Sequence, residues 1–166
     1  MPNSVTHIII ALVIAAVIRD FVVKKKFSTF FVLVAGIAGA APDADILLYW
    51  VLNLFQEVPL SLVHRWFTHS LFVPLIFLIA AFFFWKRRKA FLLFAMIALG
   101  IFIHIILDIL FSGYVRPFYP LSEWQVGLNL VPATTFGSLM VLGLDGLLLI
   151  LWLLWEYRRR NIKDFI

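Results

Sequence analysis

The sequence predicts an all-α protein: a polytopic membrane helical bundle of about five transmembrane helices, with a short interfacial or re-entrant helix besides. Three observations predict it. Of the 166 residues 64% are hydrophobic, and the mean hydropathy of +1.04 lies far above that of a soluble domain. The apolar residues fall in runs approaching the roughly 20 residues that carry an α-helix across a hydrocarbon core of about 30 Å. The runs end in basic clusters, Lys24-Lys25-Lys26, Lys86-Arg87-Arg88-Lys89 and Arg158-Arg159-Arg160. The length suits one membrane-embedded domain over residues 1–166.

The elements follow in order. Ser4 is a candidate N-cap for a first span over residues 4–23, with Arg19 and Asp20 near its end, where an arginine can snorkel to the interface. No basic n-region precedes this run and no small-residue cleavage site follows it, so it is expected to persist in the mature protein. A shorter run, residues 27–41, carries Gly36 and Gly39 among alanines, which permits close helix contact, and stops at Pro42. Residues 46–55 are apolar but too short to cross, and read as the interfacial or tucked helix, broken by Glu57 and Pro59. Spans over 66–85 and 90–111 flank the Lys-Arg-Arg-Lys turn. A loop over 112–135 holds Pro117, Pro120 and Pro132 with Tyr114, Tyr119 and Trp124, and a last span covers 136–155.

Charge placement gives an orientation. Twelve of the 14 basic residues fall on one side of this arrangement, leaving only Arg65 and Arg116 on the other. The positive-inside rule makes the basic side cytoplasmic, with the N-terminus outside and the C-terminus inside a cell (inner) membrane. The net charge of +5 is thereby accounted for by topology and lipid headgroups, and no direct nucleic-acid partner is expected. There is no cysteine, which excludes disulfides, thiolate ligands and a cysteine nucleophile.

The chemistry-bearing residues sit in a few polar islands: His7; Asp43 and Asp45 in Ala-Pro-Asp-Ala-Asp; His64, Arg65, Thr68, His69 and Ser70 in His-Arg-Trp-Phe-Thr-His-Ser; and His104 with Asp108 in His-Ile-Ile-Leu-Asp. Counting at 1.5 Å per helical residue from the nearest basic anchor puts His7, Asp43 and His69 each about 26 Å above it, and His104 and Asp108 about 22 and 28 Å. One level, just inside the outer interface, thus collects histidine and aspartate from four segments. An ionisable group in hydrocarbon faces the bundle interior with a partner, and several carboxylates together call for a cation.

Each island has a plainer reading beside the metal one. His104 and Asp108, at i and i+4 on one helix face, suit two ligands or a buried His–Asp bond. Asp43 and Asp45 suit ligands or first-turn acids balancing a helix dipole. His64 and His69 are five apart and do not share a helix face, so His64 is assigned to the turn entering the helix and His69 to its first turn. Arg65 suits a phosphate clamp or an interfacial anchor, and Thr68 and Ser70 suit supporting hydrogen bonds or helix packing. Asp145, inside the last span, is open between ligand, base and partner of Arg65 or Arg116, and Gly113 and Arg116 belong to a loop that could roof the site. Imidazole and carboxylate without thiolate favour zinc, with manganese or iron as alternatives, one ion or more. His-Glu-x-x-His, Gly-x-Ser-x-Gly and P-loop motifs are missing from the sequence.

This order of motifs resembles the YdjM-type family of inner-membrane, metal-dependent hydrolases. The matching elements are His7, Asp43, Asp45, His64, Arg65, Thr68, His69, Ser70, His104, Asp108, and Pro120 with Ser122. A more distant likeness is to the all-helical zinc phospholipase C and nuclease group. Trp66 stands where the family often has glycine, which would narrow the entrance. The resemblance implies a membrane hydrolase without naming a substrate.

The expected metal ligands are His7, Asp43, Asp45, His64, His69, His104 and Asp108; the expected catalytic residues are Asp45, His64 and Arg65. The expected reaction is hydrolysis of an ester at the outer face, most simply a phosphoester of a lipid-like substrate. The alternatives are a metal-ion transporter or channel using the same residues, and a non-catalytic membrane partner protein with a structural His/Asp cluster.

Overall fold

The computed structural model describes residues 4–23, 27–111, 113–131 and 134–159. The Lys24–Lys26 run, Arg160 and Lys163, on which the orientation partly rests, lie outside the described residues. Among the described residues the α-helices are α1 (Ser4–Val17), α2 (Thr29–Gly39), α3 (Asp45–Asn53), α4 (Phe72–Phe83), α5 (Arg88–Phe111) and α6 (Thr135–Arg158). No strand forms among them, and Val115 and Val126 meet in an isolated antiparallel bridge. The chain is the all-helical bundle its composition predicts.

Length and apolar character qualify three segments to cross a bilayer, Ser4–Val22, Arg88–Phe111 and Thr135–Arg158. A fourth is a broken one: Thr29–Gly39 and Pro42–Asn53 meet at a bend of 47°. The run expected as a second span and the helix expected at the interface are therefore two arms of one bent unit. Pro42 opens the second arm in a short 3₁₀ turn, so the break falls at the two aspartates. The span expected over 66–85 is shortened to α4, 12 residues or about 18 Å. Helix cannot start earlier because Arg65 has a left-handed backbone (φ 66°), Phe67–His69 is a 3₁₀ turn and Ser70 is extended. His69, expected one turn inside this helix, lies ahead of it.

α5 is the central post, packed against α1, α2 and α4, while α6 leans mainly on α1. The contacts are close because the facing residues are small. A Cβ on Gly100 of α5 would overlap the Ala35 carbonyl of α2, and one on Gly39 would lie 2.7 Å from the His7 carbonyl of α1. Leu12, Ala15, Ala16, Val32, Ala35 and Met96 form a closed apolar core beneath this level. Loop 113–131 folds back on the end of α5, where Leu128, Leu130 and Val131 donate to the terminal carbonyls of Ile109, Leu110 and Phe111.

One expectation is corrected. Arg19 does not snorkel outward: it is 2% exposed, in a π-helical turn (Ile18–Val22) that continues α1. It donates to Asp20 (2.9 and 3.2 Å), to Glu156 of α6 (2.8 Å) and to Thr29 of α2 (3.1 Å). A charge held by three partners inside the bundle has no need to reach water.

Candidate metal centre

The level inferred by counting residues is realised as contact. His7 comes from α1, Asp43 and Asp45 from the bend, His64, Arg65 and His69 from the segment before α4, and His104 and Asp108 from α5. Three overlapping groups have ligand atoms close enough to hold a metal ion: His7, His104 and Asp108; Asp43, His69 and His104; and Asp45, His64 and His69. All seven predicted ligands belong to one of them. His69 and His104 are fully buried, and Asp43 keeps 15% of its side chain exposed.

Hydrogen bonding fixes which nitrogens are free. His104 Nδ1 is 2.7 Å from the Gly39 carbonyl, which only accepts, so Nδ1 carries the proton and Nε2 does not. The Thr68 hydroxyl donates to Asp45 Oδ2 (2.9 Å), so His69 Nδ1, 2.9 Å from Thr68 Oγ1, donates to it in turn. His69 Nε2 is then also a bare lone pair. The two Nε2 atoms face each other at 3.1 Å, an arrangement that repels unless a cation lies between.

Two carboxylates complete the group. Asp43 Oδ1 is 3.8 Å from His69 Nε2 and 3.6 Å from His104 Nε2. Asp108 Oδ2 is 3.4 and 3.7 Å from the same two atoms. A tetrahedral zinc site with ligands at about 2.0–2.1 Å has edges of about 3.3–3.4 Å. The three edges of the candidate group Asp43, His69 and His104 lie at 3.1–3.8 Å, near that figure, and Asp108 Oδ2 stands at comparable distances from the same two nitrogens. Asp108 Oδ2 is buried and makes no hydrogen bond, as a ligand oxygen would. His7 stacks on His104 with centroids 3.8 Å apart, and its Nε2 is 3.5 Å from the other Asp108 oxygen. The residues fit a divalent ion held by imidazole and carboxylate.

Asp45 is the hub of the neighbouring group. Oδ1 accepts from His64 Nδ1 (2.8 Å), and Oδ2 accepts from the Arg65 backbone N–H (3.1 Å) and from Thr68. This explains the left-handed Arg65: a conformation costing of order 1–3 kcal/mol is held by one carboxylate that takes three donors from residues 64, 65 and 68. It also explains how two histidines five apart come to one site without a helix between them. His64 Nε2, on the side away from Asp45, is buried with no partner among the described residues.

The Arg65 guanidinium spans from this loop to α5, with Nη2 3.1 Å from Asp108 Oδ1. It lies over Gly113, where a Cβ would collide with it, and Gly113 itself takes φ +96°. Gly113 N–H donates to Asn129 Oδ1 (2.7 Å). The loop expected to roof the site therefore does so through Gly113. Arg116 stacks on Trp66 (5.3 Å), which also meets Tyr119, while Ser122 closes a local turn by accepting from Trp124 N–H. Asp145 is the acceptor of the Thr6 hydroxyl at 2.7 Å, joining α6 to α1 beside His7.

Sequence reasoning missed the Gly39 carbonyl, Asn129 and the Thr6–Asp145 bond. The first is a backbone group and carries no sequence signal. The Thr6–Asp145 bond was open to inference, because a carboxylate inside a span needs a partner and Thr6 neighbours a predicted ligand.

Among known protein families, the model described as YdjM inner membrane protein matches residues 1–163. No curated protein and no solved structure matches.

Proposed function

Since the chain belongs to the YdjM inner membrane protein family, we propose that its His/Asp centre makes it a membrane-bound, metal-dependent hydrolase acting on a phosphoester of a lipid-like substrate. The observation that carries this reading is the pair of histidine Nε2 atoms 3.1 Å apart beside two carboxylates, with a guanidinium on one of them, Asp108. The ion would be held by Asp43, His69, His104 and Asp108, with His7 supporting Asp108; zinc suits this set best, and manganese or iron are the alternatives. When bound, a divalent ion polarises a phosphoryl oxygen and eases deprotonation of water.

The chain's own residues take the remaining parts. His64, its Nδ1–H held by Asp45, keeps Nε2 free to accept the proton of the attacking water and to return it to the departing alkoxide. Asp45 then acts by orienting His64 and His69, as well as being within a candidate ligand group. Arg65 would bind a non-bridging phosphate oxygen, its Nε having no hydrogen bond among the described residues. Trp66, Tyr119 and Trp124 suit the headgroup level of an outer interface, which fits the orientation with the N-terminus outside and the C-terminus cytoplasmic.

The transporter reading is disfavoured by packing. The closed core of Leu12, Ala15, Val32, Ala35 and Met96 fills the interior below the centre, and the polar groups beyond it are locked in ion pairs. A purely structural cluster accounts for the Arg65–Asp108 pair but leaves His64 Nε2 and Arg65 Nε buried with no partner among the described residues. The test is elemental analysis of purified protein, then phosphate or headgroup release from defined lipids in detergent with and without chelator. Release abolished by chelator and by His69→Ala is expected. Release that survives both would overturn the hydrolase reading.

A further inference from the structure

At the end of the bundle away from the His/Asp centre, α1 and α6 part around an apolar groove of about 420 Å³. Val13, Ala16, Val17, Phe21, Trp152 and Trp155 line it. Both walls belong to candidate membrane spans, so the medium that reaches the groove is lipid. Apolar lining alone would not select an occupant, because lipid tails are as apolar as the groove. Three polar features at the groove do select.

The first is Arg159. Its guanidinium lies over the rings of Trp155 (4.5 Å) and Phe21 (5.4 Å), both of which line the groove. Among the described residues its nearest carboxylate is Asp20, 4.0 Å away, and that carboxylate is already taken by Arg19 and by Trp155 Nε1 (2.8 Å). The Arg159 charge is thus held in place and only weakly compensated. The second is Trp152, whose Nε1 is buried with no hydrogen-bond partner among the described residues, about 10 Å along α6 from Arg159. The third is Arg158, the basic residue in the last turn of α6 and the neighbour of Arg159, a second cation at the same end of the helix.

We propose that this groove binds one anionic phospholipid. An acyl chain lies between α1 and α6, Trp152 Nε1 donates to an ester carbonyl, and Arg159 pairs with the headgroup phosphate. Planar guanidinium on an aromatic shelf is the arrangement that recognises phosphate by its fork rather than by charge alone. The site uses none of the His/Asp residues and stands whether or not the centre is hydrolytic.

The test is native mass spectrometry of the full-length protein in detergent with equal amounts of phosphatidylglycerol and phosphatidylcholine of the same acyl length. One retained lipid per chain is expected, with phosphatidylglycerol favoured at least fivefold. Arg159→Gln should remove the preference, and Arg87→Gln, on the turn between α4 and α5, should leave it intact. Val17→Trp, at a position 46% exposed and tolerant of bulk, should block retention of both lipids. Equal retention of the two lipids by the native protein overturns the proposal. So does a preference that survives Arg159→Gln, one lost equally in Arg87→Gln, or retention unchanged in Val17→Trp.

Discussion

Asp45 and Gly113 show how single residues set the site. Asp45 satisfies three donors of one short segment, so Asp45→Asn replaces an acceptor of three with a group that must offer N–H to one of them. Removing a residue that orients ligands typically costs 10–100-fold in metal affinity or activity. A loss of about that size, measured by competitive chelator titration, is expected for Asp45→Asn, whereas Asp108→Asn should abolish stoichiometric metal. Gly113→Ala meets both a left-handed backbone and the Arg65 guanidinium. It should lower turnover at least tenfold with metal content retained, as assayed by lipid phosphoester release beside elemental analysis. Because the ligand nitrogens must be unprotonated and burial holds the His69 imidazole below its ordinary value, metal should be released only as pH falls below the ordinary imidazole range near about 6.5, and chelator-free dialysis at graded pH reads this directly.

At the scale of elements, the tight contacts are made by glycine on one helix and backbone on the next. Gly100→Val forces α5 away from Ala35, and overpacking of this kind costs about 1–3 kcal/mol. A methyl group added at Gly143 of α6 would meet no atom of the described residues within 4 Å, so Gly143→Ala should not destabilise and should gain up to about 1 kcal/mol from the better helix former. Thermal melts in one detergent separate the two. The same scale shows what the sequence could disclose. Constant helical rise made the depths of His7, Asp43, His104 and Asp108 countable from the basic anchors, and they meet as counted. The start of α4 was not countable, because the left-handed turn falls on an arginine and is imposed by Asp45, 20 residues earlier. Nor was the Arg19–Glu156 pair: both residues sit at the ends of apolar runs, where interfacial exposure is the ordinary expectation, and only the packing of α6 on α1 brings them together.

For the whole molecule, two polar clusters lie at opposite ends of α1 with an apolar core between them. Composition disclosed the membrane bundle; it could not disclose how many elements cross, because a bend of 47° and a 12-residue helix make segments whose length alone does not decide. Orientation is testable without mutating any native thiol, since the chain has no cysteine. Single cysteines at Asn3, Gln125 and Asn161 should react with an impermeant reagent in intact cells at the first two positions only. Labelling at Asn161 and not at Gln125 would reverse the orientation.

The attachment of α6 bears on how the protein is made. The last helix closes on the first through Asp145 with Thr6 and Glu156 with Arg19, partners 139 and 137 residues apart. During synthesis α1 enters the bilayer long before either acid exists. Until α6 arrives, Arg19 has only Asp20 and Thr29 to hold it, and Thr6 lacks its acceptor. Folding therefore includes a late closure of α6 on α1, and a chain that stops before residue 135 carries into lipid an Arg19 without Glu156 and a Thr6 without its acceptor.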